Sequence, residues 1–178
     1  MNPAAGLLPV ERFVKTLHIV WREGGHLAYS WNRLFPAPID AAWVAALAQQ
    51  PEAAERMDAF VSRFGRMQDT IADKLLPRWL QALAERPGSQ IDTLNRAEQL
   101  QTVANVGSWL EARKLRNRLV HEYMEDPVEF AEGLNLARRY SLILMDTYNR
   151  VREYALDKMG LSEATLPAAL ELPALLHE

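Results

Sequence analysis

A chain of 178 residues, 49% hydrophobic and 24% charged, has the length and balance of one globular domain, since a single core commonly serves about 100 to 200 residues. Its formal net charge of −3 excludes a protein that coats nucleic acid through bulk positive charge, so any RNA contact must be local. The absence of cysteine excludes disulfides, thiolate metal sites and cysteine nucleophiles.

Helical spacing of apolar residues recurs along the chain and sustained alternation does not, which predicts an all-α protein. Val10, Phe13, Val14, Leu17 and Trp21 mark a first helix, expected to stop at Gly24-Gly25, with a second short helix over 26–34 before the turn at Pro36 and Pro38. Asp40 is the expected N-cap of a short helix carrying Trp43, Val44 and Leu47. Pro51 opens the strongest periodic stretch, Met57, Phe60, Val61, Phe64, Met67, Ile71, Leu75 and Trp79, in which Pro77 should impose a kink or break. Pro87-Gly88 should close that segment, and Ser89 and Asp92 are expected in the loop that follows. A further helix over 94–104 is interrupted at Gly107, where Ser108 and Glu111 have the spacing of a capping box for a helix starting at Trp109. That helix should run to about His121 or Tyr123, because the residue before Pro127 disfavours helical geometry. Asp126-Pro127-Val128-Glu129 then restarts a helix carrying Phe130, Leu134, Ala137, Leu142, Met145, Tyr148 and Val151, which ends before Gly160.

Three units are expected: an N-terminal helical extension over 1–50 packed on the same core, a helical bundle over 51–160, and an apolar tail over 161–178. The tail carries Leu166, Leu170, Leu172, Leu175 and Leu176, too many for an idle end, and should dock on its own domain or on a partner. Pro167 and Pro173 keep any helix in it short. The longest apolar runs, such as Leu142-Ile143-Leu144-Met145, are far short of the roughly 20 residues of a membrane-spanning helix. With no basic, apolar signal segment at its start, the chain is expected in the cytoplasm, without membrane attachment.

Chemistry concentrates in Arg116-Asn117-Arg118-Leu119-Val120-His121-Glu122-Tyr123. Histidine titrates near neutrality and suits proton transfer, while arginine offers a permanently charged fork of donors that matches a phosphate. Together they suit phosphodiester chemistry. Asn117 and His121, four residues apart, share a helix face, so the amide can orient the imidazole. Arg116 lies five residues from His121, about 140° around and about 7.5 Å along an ideal helix, and periodicity alone does not bring the two together. Arg113, Lys114 and Arg118 add local positive charge beside them and are the candidate RNA-binding cations, although a charge run is more often a solvated face. His18, His26 and His177 lack the spacing of a metal site, so no metal is expected, and no phosphate-cradling glycine string occurs. No cofactor is expected.

Arg116-Asn117-x-x-x-His121-x-Tyr123 resembles the R-N-x-x-x-H-x-Y form of the HEPN motif. The stretches Phe60-Val61-Ser62-Arg63-Phe64-Gly65-Arg66-Met67-Gln68-Asp69 and Leu115 through Tyr123 resemble HEPN toxins of the HepT type, and the resemblance covers roughly residues 55–154. It implies an antiparallel four- to five-helix up-and-down bundle that forms a homodimer with both motifs in one cleft, and a metal-independent endoribonuclease. On that pattern Arg116 binds the scissile phosphate, His121 transfers protons and Asn117 positions it, leaving a 2′,3′-cyclic phosphate and a 5′-hydroxyl. The resemblance also implies a minimal nucleotidyltransferase antitoxin that transfers AMP onto Tyr123. The alternative is a non-catalytic HEPN module that binds a nucleotidyltransferase or its substrate.

Overall fold

The computed structural model describes residues 6–121 and 125–175, residue 121 by its backbone only. Among the described residues every regular element is helical, and no helix is long and apolar enough to cross a membrane.

Helix α1 spans Pro9–Leu34 without interruption. Its buried side is a 3-4 stripe, Phe13, Leu17, Val20, Gly24, Leu27, Trp31 and Leu34, the spacing that keeps one face of a helix against its neighbours. The expected stop at Gly24-Gly25 does not occur, because Gly24 fills a position of that stripe. A Cβ built there would lie 2.4 Å from Leu170 Cδ1 and 3.1 Å from Met67 Cε, so the glycine admits close packing where its flexibility would otherwise end the helix. After the turn at Pro36, α2 (Ala41–Ala45) starts on Asp40, whose carboxylate accepts from the Trp43 amide at 2.8 Å. A 3-10 turn, Ala46–Gln49, carries the chain to α3.

Helix α3 (Pro51–Thr70) continues through a π turn, Ile71–Leu75, into α4 (Leu76–Ala82). Pro77 has no amide hydrogen to offer one turn back, and the widened turn absorbs the loss: Leu76 N–H reaches Ile71 O, five residues away. Loops after Ala82 lead to α5 (Gln90–Gln99). Ser89 and Asp92, expected in a loop, instead form the capping box of α5, with Ser89 Oγ accepting from Asp92 N at 3.2 Å and Asp92 Oδ2 accepting from Ser89 N at 3.0 Å. Helix α6 spans Val106–His121. Its expected cap at Ser108 is displaced by Asn105, whose Oδ1 accepts from Ser108 N at 2.9 Å, while Glu111 pairs with Lys114 at 3.2 Å. Asp126 caps α7 (Pro127–Asp157), accepting from Val128 N at 2.9 Å.

The long helices α1, α3, α6 and α7 pack on one another. Pairings of residues 30 with 63 and 16 with 78 run α1 antiparallel to the α3–α4 rod. Trp31 Nε1 donates to the Arg138 carbonyl at 2.9 Å and Trp109 Nε1 to Thr147 Oγ1 at 3.1 Å, fixing α1 and α6 on α7. At Gly133 a Cβ would meet Leu119 Cδ2 at 3.2 Å, so α6 and α7 lie close there.

Residues 161–175 form a strap rather than a helix, apart from a 3-10 turn at Glu163–Thr165. It docks on its own domain. Arg152 Nε donates to Pro167 O at 2.7 Å, Tyr148 OH to Ala168 O at 2.6 Å, and the Asn149 amide exchanges both its bonds with the Leu170 backbone at 2.8 and 2.9 Å. Burial raises the Tyr148 hydroxyl well above its ordinary value, against the opposing pull of Arg152. Leu176 and His177 lie outside the described residues.

Two partly buried backbone groups depend on Asn149, so Asn149→Leu should cost about 1–3 kcal/mol, lowering Tm by roughly 2–4 °C per kcal/mol. Limited proteolysis should then cut within 161–175 faster than in the parent. Unchanged cleavage and unchanged melting would show that apolar contacts alone hold the strap.

Candidate functional site

A cleft of about 810 Å³ opens between α3, the π turn and α6. Arg116 reaches into it from α6 and passes close over Gly65: a Cβ on residue 65 would sit 3.2 Å from Arg116 Nε and 3.5 Å from its Cγ. The guanidinium lies across α3 at that point. Its Nη2 donates to Asp69 Oδ2 at 2.9 Å and its Nη1 to Asn117 Oδ1 at 3.2 Å, while buried Nε has no hydrogen-bond partner. Asp69 stands one helical turn after Gly65, so a single face of α3 provides both the gap and the anchor. The ion pair stays partly open, with side chains 29% and 46% exposed, and a surface pair of this kind contributes about 0–1 kcal/mol. It orients more than it stabilises.

Around Arg116 the lining alternates in sign, with Arg66 and Lys74 facing Asp58, Asp69 and Asp73, and Val61, Leu119 and Val120 forming the apolar part. Asp73 and Lys74 stand on the π turn, so the backbone adjustment before Pro77 also shapes the wall. In the same wall, Thr70 places its hydroxyl 3.0 Å from both Glu23 Oε1 and the Arg66 carbonyl, donating to them. Glu23 Oε2 is buried and unpartnered. Burial raises the Glu23 carboxyl above 4.5; the bond from Thr70 and the charges of Arg66 and Lys74 pull it down, and Asp69 adds to the rise.

The described residues among those predicted from sequence fall into two groups. Arg116 and Asn117 are joined, and the amide oxygen of Asn117 serves the arginine. The side chain of His121 and the whole of Tyr123 lie outside the described residues. Arg113, Lys114 and Arg118 do not line the cleft. Arg113 Nη1 donates to Gln90 Oε1, Lys114 pairs with Glu111, and Arg118 lies beside Glu125, Asp126 and Glu129 at the start of α7. The cleft's own cations, Arg66 and Lys74, and its anchor Asp69 carried no charge-run signal, because they are spread one per turn among acidic neighbours. A glycine inside an otherwise strongly periodic helix, Gly65, was the available clue to a close approach. Among the described residues no group of three or more His, Asp or Glu side chains converges so as to hold a metal ion.

Removing the Glu23 charge gives a test with a defined sign. A carboxyl raised in the fold is costly to ionise there, so the penalty is present at neutral pH and disappears as pH falls below the ordinary 4.5. Glu23→Gln should therefore have the higher urea midpoint at neutral pH, and the two proteins should converge below pH 4.5. A parent that is the more stable at neutral pH would mean that attraction to Arg66 and Lys74 outweighs burial.

No family model, no curated protein and no solved structure matches the chain.

Proposed function

We propose that the protein is a metal-independent endoribonuclease of the HEPN type, the toxin of a toxin-antitoxin pair. The observation that carries this reading is Arg116: a guanidinium held in an open cleft by Asp69 and Asn117, directly ahead of the string that ends in His121 and Tyr123. With its Nε covered, Arg116 keeps a second proton on each Nη, enough to take two oxygens of a phosphate. In the reaction the ribose 2′-oxygen attacks phosphorus and the bond to the 5′-oxygen breaks. The charge that builds on the phosphoryl oxygens falls on the guanidinium, an electrostatic contribution often worth several kcal/mol. His121 takes the proton of the 2′-hydroxyl or returns one to the 5′-oxygen, and two copies of the motif in a homodimer would divide those tasks. Asn117 offers its oxygen to Arg116 and keeps its NH2 for a neighbour one turn on.

Control by a minimal nucleotidyltransferase follows the same logic. AMP on Tyr123 would bring bulk and negative charge to the motif and repel the RNA phosphate.

A second reading, a non-catalytic HEPN module that binds a nucleotidyltransferase or its substrate, is favoured by the charge balance of the cleft. Arg116 already faces Asp69, and Asp58 and Asp73 offset Arg66 and Lys74, so little net positive charge remains to draw RNA in.

Purified protein should cleave single-stranded RNA in the presence of a chelator, and Arg116→Ala and His121→Ala should each lower the rate about 100-fold or more. Equal inactivity of all three on diverse RNAs would remove the nuclease reading in favour of the binding module. Equal cleavage by all three would place the activity in a contaminant. Mass spectrometry of protein produced with a nucleotidyltransferase partner should find AMP on Tyr123, and its absence would leave sequestration as the mode of control.

A further inference from the structure

Further along α3 a second groove of about 480 Å³ opens against α1, with Tyr29, Ser30 and Arg33 on one side and Glu55, Arg56 and Arg63 on the other. One turn of α3 joins it to the cleft, for Ser62 and Arg66 line the cleft and Arg63 lines the groove. Its charge runs against that of the whole chain. Three guanidiniums, Arg33, Arg56 and Arg63, face two carboxylates, Glu52 and Glu55, in a protein whose net charge is −3.

Tyr29 is the second element of the groove. The residue is 57% exposed, and it is held in place: Arg33 Nη1 donates to its hydroxyl at 2.9 Å, and the same guanidinium stands over the ring, 5.6 Å from its centroid. An exposed aromatic face with a cation fixed beside it is a platform on which a base can stack while its phosphate meets the arginine. Arg63 is also set in place, its Nη1 donating to Ser30 Oγ at 2.7 Å and to the His26 carbonyl at 3.2 Å, which leaves its remaining N–H groups for the groove. Duplexes are read by shape, whereas stacking on side chains requires bases out of a helix.

We infer that this groove is a binding track for single-stranded RNA, holding the strand a few nucleotides away from the phosphate at Arg116. The inference rests on the ribonuclease reading for its substrate and extends it to α1. At 1.5 Å per residue, Arg63 lies about 9 Å and Arg56 about 20 Å along the helix from Asp69, the reach of a few nucleotides of extended chain. Tyr29 stacks a base, and Arg33, Arg56 and Arg63 take the phosphates on either side of it.

Binding can be separated from cleavage by working in His121→Ala protein, with fluorescence anisotropy of a labelled mixed-sequence RNA of about 12 nucleotides, a length chosen to span cleft and groove. Tyr29→Ala should weaken binding about 5- to 50-fold, the loss of one stacked base. The double variant Arg33→Gln and Arg56→Gln should weaken it at low salt and reduce the slope of log affinity against log salt by about 0.7 for each lost phosphate contact. A trinucleotide, too short to span both sites, should bind weakly and respond to Arg116→Ala but not to the groove variants. The substituted groove side chains, Tyr29, Arg33 and Arg56, are exposed, and circular dichroism checks that the helices are retained. Long RNA bound equally by parent and groove variants overturns the inference and leaves the nuclease reading standing. Groove-dependent binding in a wild-type protein that cleaves no RNA sustains the inference and removes the nuclease. Full affinity for the trinucleotide, lost with Tyr29, would overturn a track in favour of a mononucleotide pocket.

Discussion

The cleft depends on a side chain that is missing. Helix α6 lays Arg116 close across α3 where residue 65 is glycine, and a Cβ there would crowd the guanidinium at 3.2 Å. One turn later Asp69 takes the same guanidinium at 2.9 Å. Space and charge therefore come from adjacent turns of one helix, and the rest of the bundle serves to hold that helix at the right depth. Trp31 and Trp109 do so from either side, each donating its indole N–H to α7, so that the two helices flanking α3 are referred to a common support.

The cation is oriented without being buried. A guanidinium sunk into the core would need full compensation and would be lost to solvent chemistry; one left free on the surface would spread over many rotamers. Arg116 sits between these limits, with its Nε covered and its two Nη groups bonded but reachable. The π turn ahead of Pro77 belongs to the same economy of position. It keeps the rod continuous past a residue that would break it and turns Asp73 and Lys74 toward the cleft.

What the sequence made legible was local. Asp40 and Asp126 were readable as caps because a cap involves residues two or three apart, and the helical class followed from apolar spacing. Reading failed where packing at long range decided the outcome. Gly24-Gly25 looks like a stop until Gly24 is counted within the stripe that runs from Phe13 to Leu34, and what fills the space beside it is Leu170, far along the chain. Ser108 and Glu111 had capping spacing, but Asn105 stood closer to the free amides and Glu111 went to Lys114. In the site, Arg116 and Asn117 were legible from their motif. Gly65 and Asp69 lie in the stretch that resembles HepT toxins, but their pairing with Arg116 was not legible, since nothing within α6 announces which face of α3 it will meet. The cations Arg113, Lys114 and Arg118 are dense in the sequence, while those that line the concavities with Arg116 are dispersed over α1, α3 and the π turn.

The strap over α1 sets an order of events for the newly made chain. His18 meets the Thr165 carbonyl across 147 positions of sequence, and Gly24 meets Leu170 across a similar span. Contacts so distant in sequence close a very long loop and form late. Helix α1 is synthesised first among the described helices yet receives its last neighbour only after every other helix has been made. Until then the side of α1 around Gly24 is covered by Met67 but lacks Leu170, and apolar surface left open in this way is what makes incomplete chains prone to association.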